Sequence, residues 1–269
     1  MPSYVVTGAS RNLGLEFVRQ LSQADPENIV IGLVRDKAAA EKRFRREGLS
    51  NVHAVEAQYT DLASLKKAAE EVKRITGGGL NWLINNAAIL GEATGFKGLS
   101  TNFSALEADL RDTFEVNVLG IIKTIEAFTP LLRAATGEKK VISLSTGMAD
   151  LDLINATRLT FAAPYAISKA ALNAVVAKYN AALADEGILF LAVSPGYVAT
   201  EAHFKEKTPE EEEGGKVMGA IFAQHAPHFK RPLTPEESIT AVLKVSREAS
   251  LEKGDGGAFI SHLGNKQWL

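Results

Sequence analysis

The chain opens with the stretch Tyr4-Val5-Val6-Thr7-Gly8-Ala9-Ser10-Arg11-Asn12-Leu13-Gly14. Its first four residues form the kind of apolar run that is found in buried strands, and a helical pattern begins near residue 13. A glycine turn between a strand and a helix lets backbone N–H groups approach a phosphate, and the helix N-terminus adds partial positive charge. The stretch therefore predicts a strand, a dinucleotide-binding turn and a helix, with an ordinary tight turn as the alternative.

Strand and helix patterns alternate along the rest of the chain. Apolar runs predict strands at 4–7, 29–34, 52–56, 80–85, 140–144, 188–194 and 258–260. Helical patterns lie near 13–24, 37–48, 61–75, 103–135, 164–186 and 234–248. Most of the apolar runs are continuous, which is typical of parallel strands that are covered on both faces. We predict an α/β fold with one domain over 1–269, a doubly wound parallel sheet of about seven strands with helices on both faces.

The composition argues against several classes of protein. The 269 residues include 30 basic and 32 acidic side chains, and this net charge of −2 gives no pull toward nucleic acid or an anionic membrane. The sequence contains no cysteine, which excludes a disulfide framework and a thiol nucleophile. The longest apolar run, 188–193, is too short to span a bilayer, and the first residues do not read as a signal peptide. We expect a cytoplasmic protein with no nucleic-acid or membrane partner.

Two stretches depart from the alternation: residues 146–163 and residues 200–233. The second follows a predicted parallel strand, and ligands of such sheets bind at the carboxyl ends of the strands. We therefore expect 201–232 to form a lid over a substrate. His203, His225 and His228 show no metal-ligand spacing, so no metal site is predicted. The lid also carries an apolar patch, which favours an apolar carbonyl compound as substrate: Val217, Met218, Ile221 and Phe222.

The first turn resembles the T-G-x-x-x-G-x-G turn of the short-chain dehydrogenase/reductase family, with Asn12 in place of the middle glycine. Asparagine adopts left-handed backbone conformations more readily than most residues, so the turn can keep its shape. The resemblance implies a Rossmann-type fold and a bound nicotinamide dinucleotide. It also implies that the cofactor contacts these residues of the turn: Gly8, Ser10, Arg11, Asn12, Leu13 and Gly14.

The end of the second strand predicts which dinucleotide is bound. An NAD enzyme of this type carries an acid there for the ribose hydroxyl, and Val34 holds that position. Arg35 follows it, and Arg11 lies in the first turn. Two guanidinium groups suit a 2′-phosphate, and this pair is similar to that of the NADP subtype of the family. We predict NADP(H), and Asp36 leaves NAD as the alternative.

Further motifs of the same family follow the later strands. Asp61-Leu62 matches its adenine-contacting position, and Asn85-Asn86-Ala87-Ala88 resembles its N-N-A-G motif. Residues 194–200 resemble P-G-x-x-x-T, which implies that the backbone at Val198 meets the nicotinamide carboxamide. The resemblance thus adds these cofactor-binding residues: Asp61, Leu62, Asn86, Ala87, Pro195, Gly196, Val198 and Thr200.

Tyr165 and Lys169 lie four residues apart, on one face of a predicted helix. A phenol with a pKa of about 10 is a poor acid–base catalyst at neutral pH, and a nearby positive charge lowers that pKa. The pair matches the Y-x-x-x-K motif that defines the family. The resemblance implies that Tyr165 exchanges a proton with a carbonyl oxygen and that Lys169 binds the nicotinamide ribose, so both residues also contact the cofactor.

A polar residue interrupts the apolar stripe of the predicted helix 103–135. The stripe consists of Leu110, Phe114, Asn117, Ile121, Ile125, Phe128 and Leu132. A buried amide costs free energy unless its donors and acceptor are satisfied, so a structural role for Asn117 is one interpretation. In the family this position is the active-site asparagine, which implies that Asn117 holds a water in a proton relay to Lys169.

The end of the fifth strand offers two hydroxyl groups. Ser145-Thr146 resembles the Ser-Ser pair of the family, in which the second hydroxyl binds the substrate carbonyl. We favour Thr146, with Ser145 as the alternative. The long gap between Thr146 and Tyr165 is similar to that of sniffer-type and C-factor-like carbonyl reductases.

The resemblance implies an oxidoreductase that transfers a hydride between NADP(H) and a carbonyl or alcohol substrate. Two alternatives stay open: an NADP-binding regulator or scaffold without turnover, and a non-redox dehydratase on the same fold. The helix 164–186 is rich in alanine, and the family pairs this helix and 103–135 across a two-fold axis. We therefore expect a homodimer or homotetramer.

Overall fold

The computed structural model describes residues 1–91, 99, 102–201, 209–227 and 229–269. Seven strands form one parallel sheet in the order β3-β2-β1-β4-β5-β6-β7. The strands are β1 Ser3–Thr7, β2 Ile29–Val34, β3 Val52–Glu56, β4 Trp82–Asn85, β5 Lys139–Leu144, β6 Ile188–Ser194 and β7 Phe259–Ser261. This Rossmann-type sheet confirms the predicted fold.

Helices cover both faces of the sheet. They are α1 Asn12–Ala24, α2 Lys37–Arg46, α3 Leu62–Thr76, α4 Phe103–Phe114, α5 Gly120–Ala134, α6 Leu151–Thr157, α7 Ala163–Leu183, α8 Pro209–His225 and α9 Pro235–Glu248. Apolar side chains of α1, α2 and α9 form the core on one face, and those of α3, α5 and α7 form the core on the other. Among the described residues, no helix is both long and apolar enough to cross a membrane.

The predicted helix 103–135 is not continuous. A π-helical turn, Glu115–Leu119, separates α4 from α5 and inserts extra backbone into the helix. The stripe predicted from the sequence therefore changes face at this turn. Phe114 is 37% exposed, whereas Ile121 and Ile125 are buried. The burial predicted for Phe114 from regular helical spacing is wrong for this reason.

Two helices were not predicted from the sequence. α6 lies in the long connection before α7, where the Asp150 carboxylate caps it by accepting the Leu153 N–H. α8 lies in the stretch expected to be a lid. These short or weakly amphipathic segments gave no clear helical period, because their apolar residues are few.

The strand order of the sheet reverses between β1 and β4, and hydrogen bonds join the ends of these two strands. The Thr7 hydroxyl oxygen accepts the N–H groups of Asn86 and Ala87, each at 2.9 Å. The Asn86 side-chain amide donates in return to the Thr7 carbonyl at 2.8 Å. In doubly wound sheets the ligand crevice lies at such a switch point, so these bonds shape its floor.

We expect Thr7→Val to lower the free energy of unfolding by about 1–3 kcal/mol, because two half-buried N–H groups lose their acceptor. Thr129→Val is the matched control. The Thr129 hydroxyl is also buried but only donates to a carbonyl within α5, so we expect a loss below about 1 kcal/mol. Urea denaturation of both variants measures the difference, and equal losses would contradict the role given to Thr7.

Candidate active site

The turn after β1 has the close backbone approach that a dinucleotide site requires. Gly8 has φ of +67°, in the left-handed region. A Cβ added at Gly14 would lie 2.1 Å from the Gly8 carbonyl oxygen and 2.6 Å from the Asn86 amide nitrogen. Only glycine fits there, so the N-terminus of α1 packs directly on the end of β1. The residues present therefore fit a bound pyrophosphate.

The remaining residues of this turn lie at its rim. Asn12 has φ of +48°, as its substitution for glycine predicts. Its side-chain oxygen accepts the Glu201 N–H at 3.1 Å, which joins the first turn to the segment after β6. Ser10 is exposed and Leu13 is half-buried. The Arg11 side chain does not cap α1, so the positive end of this helix is left for another partner.

Two arginines lie in the turns that follow β1 and β2. Arg11 and Arg35 are both exposed, and neither makes a hydrogen bond or ion pair within the described part of the chain. Asp36, the acid that left NAD as an alternative, caps α2 by accepting the Ala39 N–H at 2.9 Å. One oxygen of its carboxylate is therefore already the acceptor of a hydrogen bond at the N-terminus of α2.

The predicted adenine contact residues have structural roles in this structure. Asp61 caps α3 by accepting the Ala63 N–H at 2.8 Å, and Leu62 packs against a helix-covered core. Tyr59, which the sequence analysis missed, reaches the first turn instead. Its hydroxyl donates to the Leu33 carbonyl at 2.6 Å and accepts the Gly8 N–H at 2.5 Å. Burial raises the pKa of Tyr59 to about 12, so the phenol stays protonated at neutral pH.

The residues after β6 form the opposite rim of the crevice. The Pro195 carbonyl accepts the Ser238 hydroxyl at 2.7 Å, and Val198 pairs with Leu233 in an isolated parallel bridge. His262, also missed from sequence, lies behind this turn. A Cβ at Gly196 would be 2.9 Å from the His262 Cε1 atom. Burial lowers the pKa of His262, so this imidazole is neutral at pH 7.

Tyr165 and Lys169 lie together at the start of α7, as predicted. The Lys169 Nζ atom lies 5.8 Å from the centroid of the Tyr165 ring and donates to the Leu144 carbonyl at 2.7 Å. The Tyr165 hydroxyl has no hydrogen-bond partner among the described residues. A hydroxyl group of a bound molecule or a carbonyl oxygen can therefore pair with it.

The charges of this pair differ from the expectation. Burial raises the pKa of Tyr165 to about 12, whereas a lowered value was predicted. Burial also lowers the pKa of Lys169 to about 7. The lowered pKa was predicted for a site that also holds a positively charged nicotinamide, so it stays a prediction; in the chain by itself, the enclosed position disfavours both charged forms.

Asn117 lies in the π-helical turn and is fully buried. Its side-chain oxygen accepts the Ile89 N–H at 2.9 Å, and its amide group donates to the Ile89 carbonyl and the Ser168 hydroxyl. Asn117 thus joins the segment after β4 to α7. Both amide protons are used within the protein, and the predicted water relay stays a prediction.

The two hydroxyls after β5 have different environments. Ser145 is buried and donates to the side-chain oxygen of Asn173 on α7, at 2.7 Å. Thr146 is half-buried, and its hydroxyl oxygen accepts the Met148 N–H at 3.2 Å. A hydroxyl that accepts in this way still has its proton to donate. This difference supports the choice of Thr146 as the substrate-binding hydroxyl.

The described part of the expected lid packs against the protein. Met218 and Phe222 of α8 are buried and contact Leu159. The ring of Tyr197, next to the turn after β6, lies edge-on to Phe222 with centroids 5.6 Å apart. We call Leu159, Met218 and Phe222 the substrate-side cluster; Met148, Phe161, Tyr197, Ile221, Phe229 and Leu269 pack against it.

The other residues singled out in this stretch lie elsewhere. Val217 is exposed, and His225 is the last residue of α8. His203 and His228 lie outside the described residues.

Comparison with known proteins identifies the family. Residues 3–211 match the family described as short chain dehydrogenase. The chain belongs to this family of oxidoreductases. This short-chain dehydrogenase is 46% identical to the short chain dehydrogenase virK of Hypocrea virens and 48% identical to the short-chain dehydrogenase/reductase AacuF of Aspergillus aculeatus. Each alignment covers 100% of both chains.

Solved structures show the same fold. The NADPH-bound carbonyl reductase from chicken fatty liver superimposes with a TM-score of 0.78 at 27% identity, over 98% of each chain. The carbonyl reductase Sniffer of Drosophila melanogaster superimposes with a TM-score of 0.77 at 22% identity, also over 98% of each chain. The predicted similarity to sniffer-type proteins is confirmed for the fold.

The lowered pKa of Lys169 predicts how stability changes with pH. The folded chain releases this proton at about pH 7, whereas the unfolded chain keeps it to about pH 10. The free energy of unfolding should therefore rise more steeply across this window in the native protein than in Lys169→Met. Denaturation at several pH values measures both slopes. Lys178→Met, an exposed lysine of the same helix, should keep the native slope, and equal slopes for all three proteins would contradict the prediction.

Proposed function

We propose that this short-chain dehydrogenase is an NADP-dependent reductase of ketones or aldehydes that also oxidises the corresponding alcohols. The observation that carries the proposal is the Tyr165 hydroxyl, which has no partner among the described residues, on a ring whose centroid lies 5.8 Å from the Lys169 Nζ atom. The Thr146 hydroxyl, with its proton to donate, lies on the turn after β5. A carbonyl oxygen bound between two hydroxyl donors is polarised for attack at its carbon.

Each side chain has a separate task in this proposal. A bound nicotinamide cofactor would supply the hydride. Tyr165 donates a proton to the carbonyl oxygen, and Thr146 holds that oxygen by a hydrogen bond. Lys169 keeps donors for the nicotinamide ribose beyond the one given to Leu144. A nearby positive charge would lower the high pKa of Tyr165, which favours the reverse proton transfer during alcohol oxidation.

The preference for NADP rests on charge at the end of β2. Arg11 and Arg35 have no partner within the described residues, and the Asp36 carboxylate is already used to cap α2. The 27%-identical chicken carbonyl reductase is described as NADPH-bound, which supports the same choice. A 2′-phosphate would supply an anion for both guanidinium groups.

We expect NADPH to bind more tightly than NADH, and Arg11→Ala together with Arg35→Ala to remove about 2–4 kcal/mol of NADPH affinity. Fluorescence titration with each cofactor measures the dissociation constants. Arg45→Ala, an exposed arginine on α2, is the control and should leave both constants unchanged. Equal affinity of the native protein for the two cofactors would contradict the assignment.

We expect Tyr165→Phe to lower kcat for carbonyl reduction by about 10²–10⁴-fold, because the proton donor is lost. NADPH oxidation is followed with ketones from butan-2-one to acetophenone. Tyr179→Phe, on the same helix, removes a hydroxyl from a ring that stacks on Phe190 and should keep native kcat. Near-native turnover by Tyr165→Phe would show that the proton comes from elsewhere.

The same assay separates the two alternatives. A regulator or scaffold would bind NADPH without consuming it, and a dehydratase would convert a hydroxy compound without oxidising NADPH. The Tyr165–Lys169 pair, together with the hydrogen bond that ties Asn117 to Ser168 of the same helix, favours turnover by the proposed redox route.

We also propose that two or four copies associate through α4, the π-helical turn and α7. This surface exposes Phe114, Leu119 and Ile167, together with several small side chains of α7. We expect light scattering at micromolar concentration to give a dimer or tetramer, and Leu119→Arg to shift the mass toward a monomer. Leu263→Arg, which changes an exposed leucine after β7, should not shift it. A monomeric native protein would refute the proposal.

A further inference from the structure

Trp268 packs against the turn that carries Thr146. Its indole stacks on Phe259 of β7, with ring centroids 4.4 Å apart and an interplanar angle of 18°. It also meets Gly147, where an added Cβ would lie only 2.4 Å from the Cβ and 2.7 Å from the Cγ of Trp268. Because Gly147 directly follows Thr146, any shift of Trp268 changes the support of the predicted substrate-binding hydroxyl.

Contacts from three parts of the fold fix this turn. The Gly147 N–H donates to the Ser194 hydroxyl at 3.0 Å, at the end of β6. The Met148 N–H donates to the Thr146 hydroxyl oxygen within the turn itself. Trp268, which is 6% exposed, adds a rigid aromatic surface from the segment after β7. An aromatic ring packed on a glycine permits little displacement of the backbone.

The neighbouring residue reaches the other part of the site. Leu269 packs against the substrate-side cluster formed by Leu159, Met218 and Phe222. The segment after β7 therefore contacts both the turn that holds the predicted hydroxyl and the apolar group beside it. A segment with both contacts can affect how a carbonyl compound is oriented.

We propose that Trp268 is a positioning residue. It holds the turn from Thr146 to Met148 so that the Thr146 hydroxyl points at the substrate carbonyl, and with Leu269 it forms one wall of the substrate site. The kinetic consequences rest on the proposed function, whereas the restraint of the turn rests on the packing alone. A displacement of about 1 Å of a group that binds the reacting carbonyl can lower the rate up to about 100-fold.

The first experiment compares the two tryptophans of the chain. The assay uses the most reactive ketone of the series that runs from butan-2-one to acetophenone. Trp268→Phe should lower kcat for this ketone about tenfold, while the NADPH dissociation constant changes less than about twofold. Trp82→Phe is the matched control, because Trp82 is also buried but lies at the start of β4, at the amino ends of the strands and so away from the turn that carries Thr146. It should lower thermal stability and keep native kcat. Native kcat in Trp268→Phe would overturn the proposal.

A double-mutant cycle tests whether Trp268 acts through Thr146. Thr146→Val should lower kcat strongly, and adding Trp268→Phe to it should lower kcat no further, because the hydroxyl being positioned is already absent. Effects that multiply would mean that the tryptophan acts independently of Thr146. Native activity of Thr146→Val would place the reactive hydroxyl elsewhere. Either result overturns the inference.

A second pair of variants avoids changing the tryptophan. Gly147→Ala introduces the Cβ that collides with Trp268 and should reproduce the kinetic effect of Trp268→Phe. Gly79→Ala, before β4, is the control: its added Cβ would lie 2.8 Å from the Ala135 Cα, away from this turn, so the variant should lose stability and keep native kcat. If Gly147→Ala kept native kcat, Trp268 would not hold this turn.

Hydrogen exchange keeps this inference distinguishable from the proposed function. If the native protein oxidises no NADPH with any of the ketones, the proposed function fails. The restraint of the turn is then judged by the Gly147 and Met148 amides, which should exchange at least about tenfold faster in Trp268→Phe than in the native protein or Trp82→Phe. Unchanged exchange at these amides would overturn the positioning role.

Discussion

The hydrogen bonds between Thr7 and Asn86 are the constraint on which the site depends. They join the ends of β1 and β4 where the strand order reverses, and so they set the width of the crevice. Gly14 brings α1 within reach of the same group, because a side chain there would strike the Gly8 carbonyl and the Asn86 amide. One small polar group therefore positions both the N-terminus of α1 and the end of β4.

Burial determines the protonation of Tyr165 and Lys169. The same enclosure raises the pKa of Tyr165 and lowers that of Lys169, so the chain alone favours a neutral phenol and a poorly charged lysine. A protonated phenol is the form that can donate to a carbonyl oxygen. The arrangement suits carbonyl reduction, and charge brought by another molecule is needed to favour the phenolate.

The sequence predicted well what depends on local pattern. Continuous apolar runs gave all seven strands, and the Tyr165–Lys169 spacing placed both side chains at the start of one helix. The π-helical turn was missed because it breaks the regular spacing from which Phe114 was predicted to be buried. Tyr59, His262 and Trp268 were missed because their contacts are with segments distant in sequence, and no spacing indicates them. Asp61 was matched to an adenine contact, and its helix-capping role became visible only from the backbone around it.

The π-helical turn at Glu115–Leu119 also affects how the chain tolerates changes in length. Each residue of a regular helix rotates the next side chain by about 100°, and this turn holds one residue more than an α-helical turn. Deleting one residue here would restore a regular helix. It would also rotate either Asn117 or the buried face of α5 about the helix axis, away from its present contacts. Shortening α5 at its other end would disturb neither. Sequences of this fold should therefore vary in length at the end of α5 and keep a fixed count of residues through the π-helical turn.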